Sequence, residues 1–146
     1  MIKPEWKKEK NLASQEAEKA IFGRTFPSLN EGVWFFSLLL EKTTIAVAEL
    51  RKITPETYEI ARLGVIVPAR KQKIGAYTIK FLETKAKSLG AAKVCAFVPL
   101  YLRQYFMSQG YFLDATGEIS EIDGELCCIM FHEILNRSRR YQHKRS

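Results

Sequence analysis

The stretch Val65–Ala76 constrains the fold of this chain more than any other. A β-branched run ends at Pro68, which cannot continue a hydrogen-bonded ladder and disfavours helix in the residue before it. A short basic turn follows, and Ile74 then opens a long amphipathic segment that closes at Gly90. The sequence therefore predicts a strand, a cationic turn and a helix N-terminus in immediate succession.

The predicted turn has the chemistry of an anion site. The first turn of a helix leaves backbone N–H groups unpaired and carries a partial positive charge. Arg70, Lys71 and Lys73 surround this turn, and Gly75 allows a close approach of the backbone. These features favour a seat for a diphosphate. An ordinary strand–helix connection with solvated lysines would show the same residues, so both readings stay open on local features.

Hydrophobic periodicity predicts the remaining elements. The predicted helices are 12–22, 74–90 and 100–109, and the predicted strands are 33–40, 44–52, 58–67, 94–98, 111–116 and 125–134. A helix-length crossover makes the strands 58–67 and 94–98 parallel. The last two strands form a hairpin through Asp123-Gly124. The order predicts an α+β domain with a mixed, mostly antiparallel sheet, flanking helices and one central βαβ unit.

The turn resembles motif A of the GNAT superfamily of acetyltransferases, whose pattern is roughly V-x-P-x-x-R-x-x-G-x-G/A. Arg70, Gly75 and the apolar run before Pro68 match, and Lys73 stands where the first glycine is expected. If that position requires φ > 0, a non-glycine residue costs about 1–2 kcal/mol. The predicted element order is similar to the GNAT fold, so the resemblance extends over about residues 12–134.

The resemblance implies where the co-substrate, acetyl-CoA, lies. The amides of the turn would hold its diphosphate, and its pantetheine arm would enter a wedge where the strands 58–67 and 94–98 splay apart. Backbone groups at the end of the first of these strands would pair with that arm. The cofactor-binding residues implied in this way are Val65, Ile66, Val67, Arg70, Lys71, Gln72, Lys73, Ile74, Gly75 and Ala76.

The C-terminal half carries a second likeness, to the ElaA-like branch of the same superfamily. It consists of L-R-Q-Y-F-M-S-Q-G-Y (102–111), G-E (117–118), D-G (123–124) and Met130. In GNAT proteins a tyrosine four residues before the glycine of this region commonly protonates the departing CoA thiolate. Counting back from Gly110 gives Phe106, with Tyr105 beside it. We therefore expect that this chain lacks the usual acid of the family.

Glu49 and Glu59 are the candidates for the general base that deprotonates the acceptor amine, because carboxylates are unusual within otherwise apolar strands. The GNAT pattern favours Glu59, which lies early in the strand that leads into motif A. Both side chains could instead face solvent, and a water relay to no particular residue would also suffice. Arg62, on the same strand as Glu59, could bind an acidic acceptor.

Length and charge indicate one domain, residues 1–135, followed by a basic tail, residues 136–146. The formal net charge is +7, but five of the 23 basic residues lie in the last ten positions, which leaves 18 against 16 acidic residues. Contact with nucleic acid is therefore expected, if anywhere, only of the tail. The apolar final strand, residues 126–131, could pair across a homodimer.

The remaining composition predicts a soluble cytoplasmic protein. Its three cysteines form no C-x-x-C motif and no even framework, as is typical of a reducing compartment. The longest apolar run, residues 33–40, is too short to cross a bilayer. Only His132 and His143 are present, so no metal is expected. Cys95 lies on a buried-looking strand and is an unsuitable nucleophile.

The sequence thus predicts a GNAT-type N-acetyltransferase that transfers an acetyl group from acetyl-CoA to an amine of unknown identity, either a small molecule or a peptide. The alternative is a non-catalytic acyl-CoA-binding or regulatory domain that keeps the fold and the cofactor seat. Lys73 and Phe106 keep that alternative open. A weaker third reading is an RNA-associated protein that works through its basic tail.

Overall fold

The structure, a computed structural model, describes residues 2–26, 31–70 and 73–134. Within these ranges the helices are α1 (Leu12–Phe22), α2 (Ile74–Ser88) and α3 (Arg103–Ser108). The strands are β1 (Ile2–Lys7), β2 (Val33–Leu40), β3 (Thr43–Lys52), β4 (Thr57–Val65), β5 (Lys93–Pro99), β6 (Phe112–Leu113), β7 (Ile119–Ile122) and β8 (Glu125–Glu133). Short 3₁₀ turns span Val67–Ala69 and Leu100–Leu102.

The strands of the described chain form one mixed sheet. Its order is β1-β2-β3-β4-β5-β8-β6, and β7 also pairs with β8. β4 and β5 run parallel, with α2 connecting them, whereas the other pairs are antiparallel. The predicted α+β class, with one βαβ unit in a mostly antiparallel sheet, is confirmed.

Two helices cover opposite faces of the sheet. Successive side chains of a strand point to opposite faces, so Glu49 of β3 faces α1 and Leu50 faces α2. α1 approaches β4 so closely that a Cβ at Gly64 would collide with Ile21 and Phe22. The main apolar core lies under α2 and includes Phe36, Leu38, Leu50, Ile79, Leu82, Val94, Val98 and Met130. The two sides are called the α1 face and the α2 face below.

The first strand, β1, is absent from the sequence-based prediction. It is an edge strand that pairs antiparallel with β2, and it contains Pro4 opposite Leu38. Proline is tolerated at an edge, where its missing N–H leaves no ladder unpaired. Because most of the other residues of β1 are charged, the sequence shows no apolar strand pattern there. The strand nevertheless packs through Trp6, whose ring centroid lies 4.8 Å from that of Phe36.

The predicted C-terminal hairpin is wrong in its first strand. Asp123-Gly124 does form a turn, but it joins β7 to β8 rather than residues 111–116 to β8. β6 is only two residues long and pairs with Met130 and Phe131. A loop interrupts the strand pattern because Gly117 has φ = 63° and its N–H donates to the Asp114 carbonyl at 3.0 Å.

The final strand has no edge free for pairing across a homodimer, and the homodimer itself stays a prediction. β8 pairs with β5 along one edge and with β6 and β7 along the other. Because both edges are occupied, β8 cannot add a strand from a second copy. The domain boundary at residue 135 and the basic tail 136–146 stay predictions, since the chain after Ile134 lies outside the described residues.

Candidate active site

A gap opens between β4 and β5 at the centre of the sheet. The two strands pair from Thr57 and Lys93 up to Ile60 and Ala96. Beyond that last pair, β4 runs on to Val65 and β5 to Pro99 without pairing to each other. Backbone groups of an interrupted ladder need other partners, so this gap can accept an extended ligand between the strands.

A β-bulge explains why β4 leaves β5. Glu49 faces Ala61 on β4, but Val47 faces Gly64, so β4 carries one extra residue. The extra residue is Arg62, with φ = 50°. A bulge bends its strand and increases the local twist, and this one begins just after the last pair with β5.

Arg62 is held on the α1 face by three contacts. Its Nη1 donates to Oε2 of Glu49 at 3.3 Å, and its Nε donates to Oδ2 of Asp123 at 3.5 Å. Its guanidinium also lies 4.0 Å from the ring centroid of Phe26. The Arg62 guanidinium, which the sequence suggested as a binding group for an acidic acceptor, is thus already engaged within the protein.

The basic turn before α2 has the backbone shape expected of an anion seat. Lys73 caps the helix with φ = 60° and ψ = 18°, a left-handed conformation. The motif position at which a glycine is expected therefore does have φ > 0, and Lys73 carries about 1–2 kcal/mol of backbone strain there. Lys71 and Gln72, both predicted cofactor-binding residues, lie outside the described residues.

The backbone groups between β4 and this turn are partly engaged within the protein. Ile66 donates its N–H to Ile45 at 3.0 Å. The Val65 carbonyl accepts from Nε of Arg70 at 3.0 Å. The N–H of Val67, by contrast, has no partner among the described residues. Of the three residues implied to hold the pantetheine arm, Val67 thus offers the clearest free donor.

A tyrosine hydroxyl lies over the first turn of α2. A Cβ added at Gly75 would be 3.0 Å from Oη of Tyr105. Partial burial raises the pKa of the Tyr105 hydroxyl. The hydroxyl has no hydrogen-bond partner in the part of the chain that the structure describes. Glycine at position 75 therefore leaves room for this side chain as well as for a ligand.

Phe106 belongs to the core. It is 5% exposed and packs edge-on against Tyr111, with ring centroids 5.3 Å apart. The neighbouring Tyr105 points elsewhere because adjacent helix positions differ by about 100°. The position to which the resemblance assigns the acid is thus occupied by a buried phenyl ring.

Glu49 and Glu59 are both buried, so the solvent-facing alternative is wrong. Glu49 is 1% exposed and pairs with Arg51 at 2.9 Å and Arg62 at 3.3 Å. Glu59 is 9% exposed and forms no ion pair within the described chain. Burial raises the pKa of Glu59, and the charge of Glu49 raises it further, whereas Arg51 and Arg62 lower it.

Sequence reasoning missed a buried ion cluster between α1 and β3. Nζ of Lys10 lies 2.8 Å from Oε2 of Glu18 and 3.5 Å from Oε2 of Glu49, and it donates to the Phe26 carbonyl at 3.0 Å. The N–H of Phe26 in turn donates to Oε1 of Glu18 at 2.8 Å. The buried residues of α1 are Ser14, Ala17 and Glu18, which recur at helical spacing. Because two of the three are polar, the sequence does not show them as a buried face.

The surroundings of Cys95 and His132 indicate structural rather than catalytic side chains. Burial, and next the charge of Glu59, raise the pKa of the Cys95 thiol to about 11, so it stays protonated near neutral pH. His132 contacts Oε2 of Glu83 through Nδ1 at 2.9 Å. The Tyr111 hydroxyl donates to the same oxygen at 2.8 Å.

Metal-ligating clusters and apolar helices of membrane-spanning length are both absent from the described residues. Over 2–26, 31–70 and 73–134, no group of three or more His, Cys, Asp or Glu side chains could hold a metal ion. None of the helices in those ranges is both long and apolar enough to cross a membrane.

The chain belongs to the GNAT family of acetyltransferases, because the model of the "Acetyltransferase (GNAT) family" matches residues 2–105. The matched range includes β4, the basic turn, α2 and β5, which together form the gap and the turn beside it. A search against curated proteins returns no match.

Solved structures share the fold at low sequence identity. The ribosomal-protein-S18-alanine N-acetyltransferase from Escherichia coli gives a TM-score of 0.73 at 15% identity, over 92% of this chain and 96% of that one. Escherichia coli ElaA gives 0.70 at 20% identity, over 91% and 100%. A GNAT family acetyltransferase from Elizabethkingia anophelis, solved with acetyl-CoA bound, gives 0.60 at 17% identity, over 70% and 77%.

Proposed function

We propose that this GNAT enzyme acetylates an amine in the gap between β4 and β5, with the diphosphate of acetyl-CoA on the turn before α2. As a member of the family, the chain is an acetyl-CoA-dependent N-acetyltransferase. The observation that supports the proposed site most is the end of β4–β5 pairing at Ile60 and Ala96, directly beside a cationic helix N-terminus.

The turn would hold the diphosphate through its backbone N–H groups and its cations. The first amides of α2 have no partners within the helix, and the partial positive charge there favours an anion. Lys73 and Arg70 would add charge at either side of the turn. The proposed cofactor-binding residues are Val65, Ile66, Val67, Arg70, Lys71, Gln72, Lys73, Ile74, Gly75 and Ala76. The Elizabethkingia anophelis acetyltransferase of the same fold, solved with acetyl-CoA bound, supports acetyl-CoA as the co-substrate.

Acetyl transfer needs a neutral amine, a positioned thioester and a stabilised oxyanion. The amine nitrogen attacks the thioester carbonyl, the tetrahedral oxyanion forms, and its collapse breaks the carbon–sulfur bond and releases the CoA thiolate. The N–H of Val67, in the turn just after β4, has no partner among the described residues and would stabilise the oxyanion. The proton lost by the amine passes to a base.

Glu59 would be that base. Its carboxylate lies one residue before the last β4–β5 pair, and it has no ion pair among the described residues, whereas Glu49 has three. A raised pKa brings a carboxylate closer to the working pH of a general base. Positioned bases contribute about 10²–10⁴-fold to the rate.

The thiolate would leave without a tyrosine at the usual position. Phe106 is buried, and the Tyr105 hydroxyl lies at Gly75, beside the proposed diphosphate seat. Tyr105 would therefore bind the co-substrate, and water would supply the proton to the leaving sulfur. Transfer is expected to be slow by the standards of an enzyme with a positioned acid.

The location and partners are proposed from weaker features. Cys95, Cys127 and Cys128 are free thiols, which favours a reducing, cytoplasmic compartment. The acceptor would be a small-molecule or peptide amine. Contact of the basic tail with nucleic acid stays a prediction, because that segment lies outside the described residues.

The test is release of free thiol from acetyl-CoA in the presence of a panel of primary amines, with acetylated product identified by mass spectrometry. Amine-dependent release that Glu59→Gln reduces supports the proposal. A chain that binds acetyl-CoA by calorimetry but releases no thiol with any amine is instead the non-catalytic acyl-CoA-binding domain.

A further inference from the structure

The α1 face of the sheet continues past Glu59 as an apolar surface. Glu59 pairs with Cys95, Cys95 pairs with Phe131, and Phe97 pairs with Ile129, so these side chains share one face. Cys95 is buried, Phe97 is 36% exposed, and the other two apolar side chains are half-buried. The apolar strip is defined here as Phe97, Ile129 and Phe131.

The apolar strip borders the gap on the side opposite to the cofactor seat. α2, whose N-terminus is the proposed seat, packs on the other face. A ligand anchored there that passes through the gap presents its far end to the α1 face. The first residues beyond the last β4–β5 pair on that face are Ala61 and Phe97. The small Ala61 leaves space beside the half-exposed Phe97 ring.

The cations near the gap on this face are already paired. Lys10 contacts Glu18 and Glu49, and Arg51 contacts Glu49. Arg62 is shared between Glu49 and Asp123, as described above. In residues 2–26, 31–70 and 73–134, Glu59 is by contrast a buried carboxylate without an ion pair.

Arg24, also on this face, contacts Asp123 at 3.8 Å, and a further cation lies at the opposite end of β5. Nζ of Lys93 is 4.6 Å from the ring centroid of Phe131. Lys93 belongs to the first β4–β5 pair, whereas Phe97 follows the last one. An anionic group beside the gap would therefore meet the Glu59 carboxylate and no unpaired cation of the described chain.

We propose that the acceptor is a primary amine carried on an uncharged apolar or aromatic body, which lies on Phe97 and Ile129 and directs its nitrogen towards Glu59. This inference rests on the proposed function. An apolar body gains from burial against the apolar strip, and the ammonium form is attracted by the carboxylate before it loses its proton. An acidic amine is repelled by Glu59, and a polyamine would place its further charges against the apolar strip.

The experiment compares 2-phenylethylamine, glutamate and spermidine as acceptors at saturating acetyl-CoA. We expect kcat/KM for 2-phenylethylamine to exceed that of each other amine by about tenfold or more, as one well-buried apolar group allows. Phe97→Ser is expected to raise KM for 2-phenylethylamine about tenfold and to leave KM for acetyl-CoA unchanged. Phe112→Ser is the matched control, because Phe112 is 72% exposed on the same face at the outer strand β6.

A higher kcat/KM for glutamate or spermidine would overturn the inference, as would an unchanged KM in Phe97→Ser. If no amine turns over, the three amines are titrated by NMR against protein saturated with CoA. Preference for 2-phenylethylamine, lost in Phe97→Ser, then supports the inference while the catalytic proposal fails. Equal or weaker binding of 2-phenylethylamine refutes the inference alone.

Discussion

Replacement of Lys73 by glycine should stabilise the protein and weaken cofactor binding at the same time. The backbone of Lys73 has φ = 60°, which costs a non-glycine residue about 1–2 kcal/mol. Glycine removes that strain but gives the unfolded chain more freedom, which offsets about 0.4–1 kcal/mol. The expected net gain in the free energy of unfolding is about 1 kcal/mol, or a rise in Tm of about 3 °C.

The cofactor effect has the opposite sign. If the Lys73 ammonium pairs with a phosphate of CoA, its removal costs about 1 kcal/mol of binding, or about a fivefold weaker Kd. The assays are urea denaturation for stability and calorimetry with CoA for affinity. Salt should weaken binding to the wild type more than to the variant, because exposed charge pairs are screened.

Two further substitutions at the same position separate strain from charge. Lys73→Ala keeps the strain and removes the charge, so it should match the stability of the wild type and the affinity of Lys73→Gly. Lys73→Asn, which tolerates a left-handed backbone, should fall between them in stability. Tighter CoA binding by Lys73→Gly would refute the reasoning, since the lysine would then be only a tolerated defect in the turn.

Three other substitutions test separate parts of the site. Gly75→Val should weaken CoA binding about tenfold or more by calorimetry, because its Cβ would lie 3.0 Å from the Tyr105 hydroxyl and block the turn. If the double variant Gly75→Val with Tyr105→Ala binds CoA as tightly as the wild type, the loss comes from that clash alone and not from a blocked turn. Phe106→Tyr should lower the free energy of unfolding in urea by about 1–3 kcal/mol, because it buries a hydroxyl; increased turnover with unchanged stability would contradict the core assignment. Glu59→Gln should reduce kcat/KM about 10²-fold or more. Because its folded-state pKa is raised, the native protein holds the Glu59 proton to higher pH than the unfolded chain does, and stability falls as pH rises through that window. When denaturation is measured at several pH values, Glu59→Gln should abolish this fall in stability. An unchanged pH dependence would contradict the burial argument.

The sequence predicts best where local chemistry and tertiary packing agree. The strand, turn and helix around Val65–Ala76 were predictable because a proline ends the strand and 3.6-residue periodicity begins at Ile74. β1 was not, because Pro4 and its charged neighbours obscure a strand that forms by pairing with β2. The C-terminal hairpin failed because the loop around Gly117 divides what reads as one strand.

The candidate site was predictable as a location rather than as a set of contacts. Glu59 and the turn are visible in the sequence, whereas the depth of burial of Glu49 and its three cationic partners is not. Those partners come from three separate segments, at Lys10, Arg51 and Arg62. Charge pairing across a fold leaves no periodic signal in the chain, so it is found only once the elements are packed.

Amide hydrogen exchange with and without CoA tests the central claim most directly. If the diphosphate lies on the turn before α2 and the pantetheine arm in the gap, CoA should protect amides of residues 61–77 and 97–105. Residues 119–126, which include β7 and the turn into β8, should exchange at unchanged rates. Protection confined to those control residues, or no protection of the turn at saturating CoA, would contradict the account.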